Sequence, residues 1–159
     1  MKRSLFDSPE ELVRELEPRR SGGEKVVLAN GCFDIVHVGH MRYLREAAAL
    51  GSILVVALND DNSTHTLKGD GRPVMPAAER AEILLAVRFV DYVLLFGETT
   101  VDRIIEVLRP DVHVKGADYT VETVPERETA LAVGCRTVIV GSSKDHSSRD
   151  IIEAIREEE

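Results

Sequence analysis

An α/β fold built on a doubly wound, five-stranded parallel sheet is what this sequence predicts, and three observations carry it. Five short apolar runs, Val26–Ala29, Ile53–Leu58, Tyr92–Phe96, Val112–Val114 and Thr137–Val140, are separated by stretches of helical periodicity. The runs are nearly continuous in apolar residues, the pattern of strands covered on both faces. Strands alternating with helices, joined by right-handed crossovers, place helices on both sides of a single sheet.

Each element has a local reason. Ser8-Pro9-Glu10-Glu11 reads as a helix start, with Ser as the cap and Pro at the first helical position; that helix runs to about Leu16, and Ser21-Gly22-Gly23 breaks it. Residues 1–22 therefore read as an N-terminal helical extension and residues 23–159 as the main domain. The extension need not join the sheet; it can cover a sheet edge or serve as the contact of a homodimer. After the first strand, Gly39–Leu50 puts Met41, Leu44, Ala47 and Ala48 on one helical face, and Gly51 stands where a C-terminal cap belongs. The stretch Asn59–Met75 is polar and holds glycines, so it reads as a long loop. Pro76–Val87 is helical with Ile83, Leu84 and Val87 inward. Thr100–Leu108 is a helix stopped by Pro110, Pro125–Val133 a helix ending at Gly134, and Ser148–Ile155 the last helix.

Composition narrows the function. The chain has 159 residues, 43% hydrophobic and 30% charged, a balance that suits one soluble globular domain. Its net charge of −8 is the wrong sign for a nonspecific nucleic-acid binder. No apolar run approaches the ~20 residues of a membrane span. The opening MKRSLFDSPEELVREL is charged where an export signal needs an apolar stretch, so a cytoplasmic location is expected. Cys32 and Cys135 then read as free thiols, and they are too few for a four-ligand zinc site. No metal site is expected.

In doubly wound sheets the ligand sits outside the carboxyl ends of the strands, where the strand order reverses. The loops that follow strands are Asn30–His40, Asn59–Met75, Lys115–Thr123 and Gly141–Ser148. The first is the most informative. His37 and His40 lie three apart around Gly39 where the next helix begins. A helix start offers unpaired N–H groups and the positive end of its dipole, and two imidazoles beside it add donors for a phosphate oxygen. The G-x-G-x-x-G dinucleotide fingerprint and the G-x-x-x-x-G-K-[ST] phosphate loop are both missing.

Gly31-Cys32-Phe33-Asp34 followed by His37-Val38-Gly39-His40 resembles the signature of the cytidylyltransferase-like nucleotidyltransferases. Within that superfamily the chain is most similar to the D-glycero-β-D-manno-heptose 1-phosphate adenylyltransferases. The likeness runs through Leu67–Val74, Glu79-Arg80, Val90–Val93, Arg109-Pro110-Asp111 and Val114–Tyr119. It implies a Rossmann-like fold of the HxGH type and transfer of AMP from ATP, with Mg2+, to a sugar 1-phosphate. A cytidylyltransferase acting on an alcohol phosphate such as glycerol 3-phosphate, or a non-catalytic nucleotide-binding module, are the competing readings.

The resemblance also implies roles. His37 and His40 donate to triphosphate oxygens, and Lys68 bridges the phosphates of nucleotide and substrate; these three are the catalytic candidates. Gly31, Cys32, Phe33, Gly39, Lys115, Gly116 and Asp118 border the nucleotide, with Tyr119 either stacking there or covering the core edge. Arg72 and Arg80 are candidates for the sugar phosphate, since a guanidinium fork matches its oxygens; the alternative for Arg80 is an ordinary exposed helix charge. Asp34 either accepts from sugar hydroxyls or forms a turn. Ser147 and Ser148 stand where the superfamily binds the outer phosphates, although a Ser at a helix start also serves as a cap. Asp145 replaces an expected Gly there, and Arg149 an expected Thr.

Overall fold

The computed structural model describes residues 4–141 and 147–158. In chain order the elements are β1 (Ser4–Phe6), α1 (Pro9–Ser21), β2 (Val26–Gly31), α2 (Val38–Ala48), β3 (Ile53–Asn59), α3 (Asp61–Lys68), α4 (Ala77–Ala86), β4 (Tyr92–Phe96), α5 (Asp102–Leu108), β5 (Val112–Gly116), α6 (Arg127–Val133), β6 (Arg136–Val140) and α7 (Ser148–Glu157). All strand pairings are parallel, and the sheet order is β1-β4-β3-β2-β5-β6. The α/β class stands as expected from the sequence. The strand count does not: the sheet has six strands, not five, among the described residues.

The added strand is β1, paired with β4 from Ser4 opposite Tyr92 to Phe6 opposite Leu94. The three residues Ser4-Leu5-Phe6 are too few to register as an apolar run. Phe6 earns its place by packing against Tyr92, ring centroids 6.0 Å apart. The segment before Gly23 thus enters the sheet and the core. Leu12 and Leu16 of α1 are fully buried, and Arg20 in its last turn donates to the Leu108 carbonyl at 2.7 Å, closing the end of α5.

Two further expectations change. The Asn59–Met75 stretch is not all loop, because α3 lies within it, capped by Asp60 accepting from the Ser63 N–H at 2.8 Å. Its inward residues are Ser63 and Thr64, so no apolar periodicity announces it. The inward face of α4 is Ala77, Arg80, Ala81 and Leu84, whereas Ile83 is exposed. A buried arginine occupies a position that hydrophobic patterning assigns to solvent.

The two faces of the sheet build two cores. One packs α1, α5 and α6 through Leu12, Leu16, Ile104, Ile105, Leu108 and Ala130. The other packs α2 and α4 through Leu44, Ala47, Ala81 and Leu84. Strand starts are tied by aspartates: Asp111 accepts from the Val26 N–H and Asp91 from the Leu54 N–H, each at 2.8 Å. The sheet then opens at one place. β2 pairs β3 along its whole length, from Val26 to Gly31, but pairs β5 only at Val27 and Leu28. β2 lies between β3 and β5, where the strand order reverses, so a crevice opens between the carboxyl ends of β2 and β5.

Candidate active site

A cavity of about 250 Å³ fills that crevice. Gly31, Cys32, Phe33, Asp34, His37, Gly39, His40, Lys68, Arg72, Lys115, Gly116, Asp118, Ser147 and Ser148 all line it. Residues from four strand-following loops and three helix ends therefore meet in one place. Arg80 is the one sequence nominee that does not line it.

The histidines are fixed by the backbone of α2. His37 is the N-cap, and its Nδ1 accepts from the Gly39 N–H at 3.1 Å. The His40 Nδ1 accepts in turn from the His37 N–H at 3.3 Å. This is a reciprocal capping box built from imidazoles. A ring nitrogen that accepts carries no proton, so each neutral ring keeps its proton on Nε2. The rings lie 4.0 Å apart, centroid to centroid. Phe33 packs on His40 at 5.0 Å, with its own backbone at a φ of 46°. Gly31 makes room for that ring, since a Cβ there would stand 3.0 Å from Phe33 Cε2.

Asp34 is spent on structure. Its carboxylate accepts from the Arg72 Nε at 2.6 Å, the Val74 N–H at 2.8 Å and the Met75 N–H at 3.0 Å, and the residue is 2% exposed. Burial alone would raise its pKa; the Met75 and Val74 N–H groups and Arg72 together hold it below the ordinary value. Arg72 also donates from Nη2 to the Ser148 hydroxyl at 3.0 Å. It thereby ties the loop before α4 to both the β2 loop and the start of α7. Ser147 caps α7, accepting from the Asp150 N–H at 3.2 Å. Asp145 lies outside the described residues, and Arg149 is exposed on α7.

Arg80 is fully buried. Its guanidinium donates to the Met75, Cys32 and Asn59 carbonyls at 2.9, 2.7 and 2.8 Å and to Asp61 at 2.8 Å. The reading of Arg80 as a sugar-phosphate ligand gives way to a structural one: its donors are committed to the ends of β2 and β3 and the start of α3.

On the β5 side the wall is polar and buried. Lys115 is 9% exposed, its Nζ 4.8 Å from the centre of the Tyr119 ring, and burial lowers its pKa. His113 shares a hydrogen bond of 2.9 Å between Nε2 and the Asn30 Oδ1, and burial, then the charge of Lys115, push its pKa down to about 3. His113 is therefore neutral. The Tyr43 hydroxyl donates to the Val114 carbonyl at 3.0 Å across the opened seam, and burial raises its pKa. Lys68 ends α3 at the rim, exposed. Sequence reasoning missed Asn30, Arg42 and Tyr43, which also line the cavity. Arg42 and Tyr43 stand three residues beyond Gly39 and His40, a helical spacing that puts them on the same side of α2.

Cations gather here in a chain of net charge −8: Arg42, Lys68, Arg72 and Lys115 all border one cavity. That suits an anionic ligand of several charges. Among the described residues no group of three or more His, Cys, Asp and Glu is placed to hold a metal ion, and no helix is long and apolar enough to cross a membrane.

Residues 28–157 match the cytidylyltransferase-like family, and the chain belongs to that family. It is 47% identical over 144 residues to the bifunctional protein HldE of Citrifermentans bemidjiense, a match that covers 91% of this chain and 30% of that protein. The chain thus spans about a third of the length of the curated relatives it matches. Among solved structures it is similar to the lipopolysaccharide core biosynthesis protein of Thermoplasma volcanium, with a TM-score of 0.67 and 25% identity, over 77% of this chain and all of the other. Pantothenate synthetase of Thermus thermophilus shares the fold at a TM-score of 0.68 and 18% identity, over 94% of this chain and 67% of the other.

Proposed function

We propose that this protein transfers AMP from MgATP to a sugar 1-phosphate, of the heptose 1-phosphate class, and releases pyrophosphate. The observation that carries the reading is the imidazole pair: both Nδ1 atoms are held by backbone N–H groups at the cavity end of α2, which leaves each ring's proton on Nε2. Such donors suit an α-phosphate whose charge rises as it is attacked. A phosphate oxygen of the sugar 1-phosphate forms the new bond to the α-phosphorus, and the bond from that phosphorus to the bridging oxygen of pyrophosphate breaks. His37 and His40 donate to oxygens of the triphosphate as this happens. Lys68 and Arg42, at the rim, neutralise the incoming and departing phosphates. The reaction asks the protein for position and charge, with no covalent intermediate on the enzyme.

Mg2+ enters as part of the substrate. Asp34, the most buried carboxylate of the cavity, already accepts from Arg72, Val74 and Met75, so a triphosphate-borne ion fits these residues better than a protein-built cage.

The test is pyrophosphate release with MgATP and D-glycero-β-D-manno-heptose 1-phosphate, run beside CTP with glycerol 3-phosphate. Turnover in the first reaction alone is the expected result. Turnover in the second alone would move the protein to cytidylyl transfer. Nucleotide binding without turnover on any sugar or alcohol phosphate would make it a binding module.

A further inference from the structure

Behind the cavity wall lies a buried carboxylate that the reaction described above does not use. Glu126, next to the start of α6, is 2% exposed. Its Oε1 accepts from the Val101 N–H at 3.2 Å. Its Oε2 has no hydrogen-bond partner and faces Lys115 Nζ from 3.8 Å. Lys115 borders the cavity, and Glu126 does not.

A buried ion pair this loose is a poor source of stability. Both charges lose their water, and at 3.8 Å the attraction is not reinforced by a hydrogen bond. Two apolar side chains would fill the same volume without that cost. The arrangement does make sense for an amine that has to stay charged and in place until an anion arrives. We propose that Glu126 is a positioning residue: it holds the Lys115 amine protonated at the cavity wall, ready for the nucleotide, with the Tyr119 ring as a second electron-rich surface. The proposal rests on the nucleotide-binding reading and adds to it a residue outside the cavity.

The surroundings support the assignment. Burial holds the Lys115 pKa below its ordinary value, and the charge of Glu126 offsets part of that lowering. Asp118 and Tyr119 stand in the loop after β5, and Asp102 lies at the start of α5. His113, two residues back on the same strand, is neutral. Glu126 is thus the carboxylate in ion-pair distance of this amine among the described residues.

Glu126→Gln keeps the volume and an oxygen for the Val101 N–H while it removes the charge. In the full-length chain, NMR of 15N-labelled lysine side chains should show the Lys115 amine titrating about one pH unit lower or more, as for a group that loses a charge partner within a few ångströms. With MgATP at alkaline pH, KM should rise roughly tenfold while kcat moves little. Glu126→Asp should recover part of both. In a Lys115→Met background, Glu126→Gln should add nothing to KM. An unmoved lysine titration in Glu126→Gln overturns the proposal. So does an equal rise in KM with and without Lys115, which would mark Glu126 as merely structural. Should Glu126→Gln fail to fold by circular dichroism, Glu126→Asp carries the test, a smaller move of the same titration supporting the proposal and no move overturning it. A wild-type protein that does not bind MgATP would retire the nucleotide reading instead, and the lysine titration would still decide whether Glu126 sets this amine.

Discussion

A histidine that caps a helix with Nδ1 has its tautomer chosen by the main chain, and here that holds for His37 and His40 together. Stability and chemistry can then be separated by substitution. His37→Asn keeps an oxygen able to accept from the Gly39 N–H, so its unfolding free energy should stay within about 0.5 kcal/mol of wild type. It loses the Nε2 donor, and kcat for pyrophosphate release should fall about 10²–10³-fold, as should that of His40→Ala. Full activity in both variants would remove the imidazoles from the reacting phosphate. His113 gives a prediction of the opposite kind, in stability with no chemistry. Its ordinary value of 6.5 is pushed down to about 3, by burial first and by Lys115 second. Below pH 6.5 the unfolded chain takes up a proton that the native state refuses. Its contribution is therefore complete above that pH and should decline by about 1.4 kcal/mol per pH unit as acid drives toward the native value. Urea unfolding between neutral and mildly acidic pH reads this slope. His113→Gln, which can still donate to Asn30, should remove one proton's worth of it; an unchanged slope would show that His113 takes up its proton in the fold as readily as in the unfolded chain.

Helix α4 shows how one residue can join several elements. Arg80 reaches from it to the carbonyls that end β2 and β3 and to Asp61 at the head of α3. Arg80→Met would take a donor from the Cys32, Asn59 and Met75 carbonyls and from Asp61, which keeps the Ala77 N–H. The expected cost is about 2–4 kcal/mol of unfolding free energy, from buried carbonyls that lose a donor at about 1–3 kcal/mol each, measured by urea denaturation, with KM for the sugar phosphate unchanged in the protein that remains folded. A raised KM at unchanged stability would restore Arg80 as a ligand. The same residue marks where sequence reading stopped. Apolar runs and caps located every strand from β2 to β6 and the helices between them other than α3, because burial on both sheet faces leaves a strong signal. They failed at α3, whose buried residues are Ser63 and Thr64, and on the inner face of α4, where Arg80 sits among alanines and Leu84. A buried polar group is chosen by its tertiary partners, which no periodicity records. The HxGH element was legible since its residues share one loop. Asn30, Arg42 and Tyr43 were not, because their reach into the cavity follows from the parting of β2 and β5.

At the scale of the whole molecule, the position of the cavity in the sheet separates function from the edge that protects the fold. The crevice lies between β2 and β5, while β1 closes the far side beyond β4 and β3. β1 contributes three paired residues, and Phe6 packs on Tyr92 from a half-buried position. Removing residues 1–6 would take away the Phe6–Tyr92 contact and expose the outer edge of β4. Partial burial of a Phe side chain is worth about 1–2 kcal/mol, and in a domain of this size each kcal/mol moves the midpoint by about 2–4 °C. The truncated chain should melt lower by that amount and, with an unpaired strand edge, self-associate at higher concentration. Its kcat and KM well below the midpoint should match those of the full chain, since β1 pairs with β4 and both β3 and β2 stand between it and the crevice. Scanning calorimetry, light scattering and steady-state kinetics on the same preparation check all three. A truncated chain that melts normally but turns over slowly would mean that the edge strand and the crevice are coupled through β4 and β3, and that the sheet transmits what happens at its border to the imidazole pair.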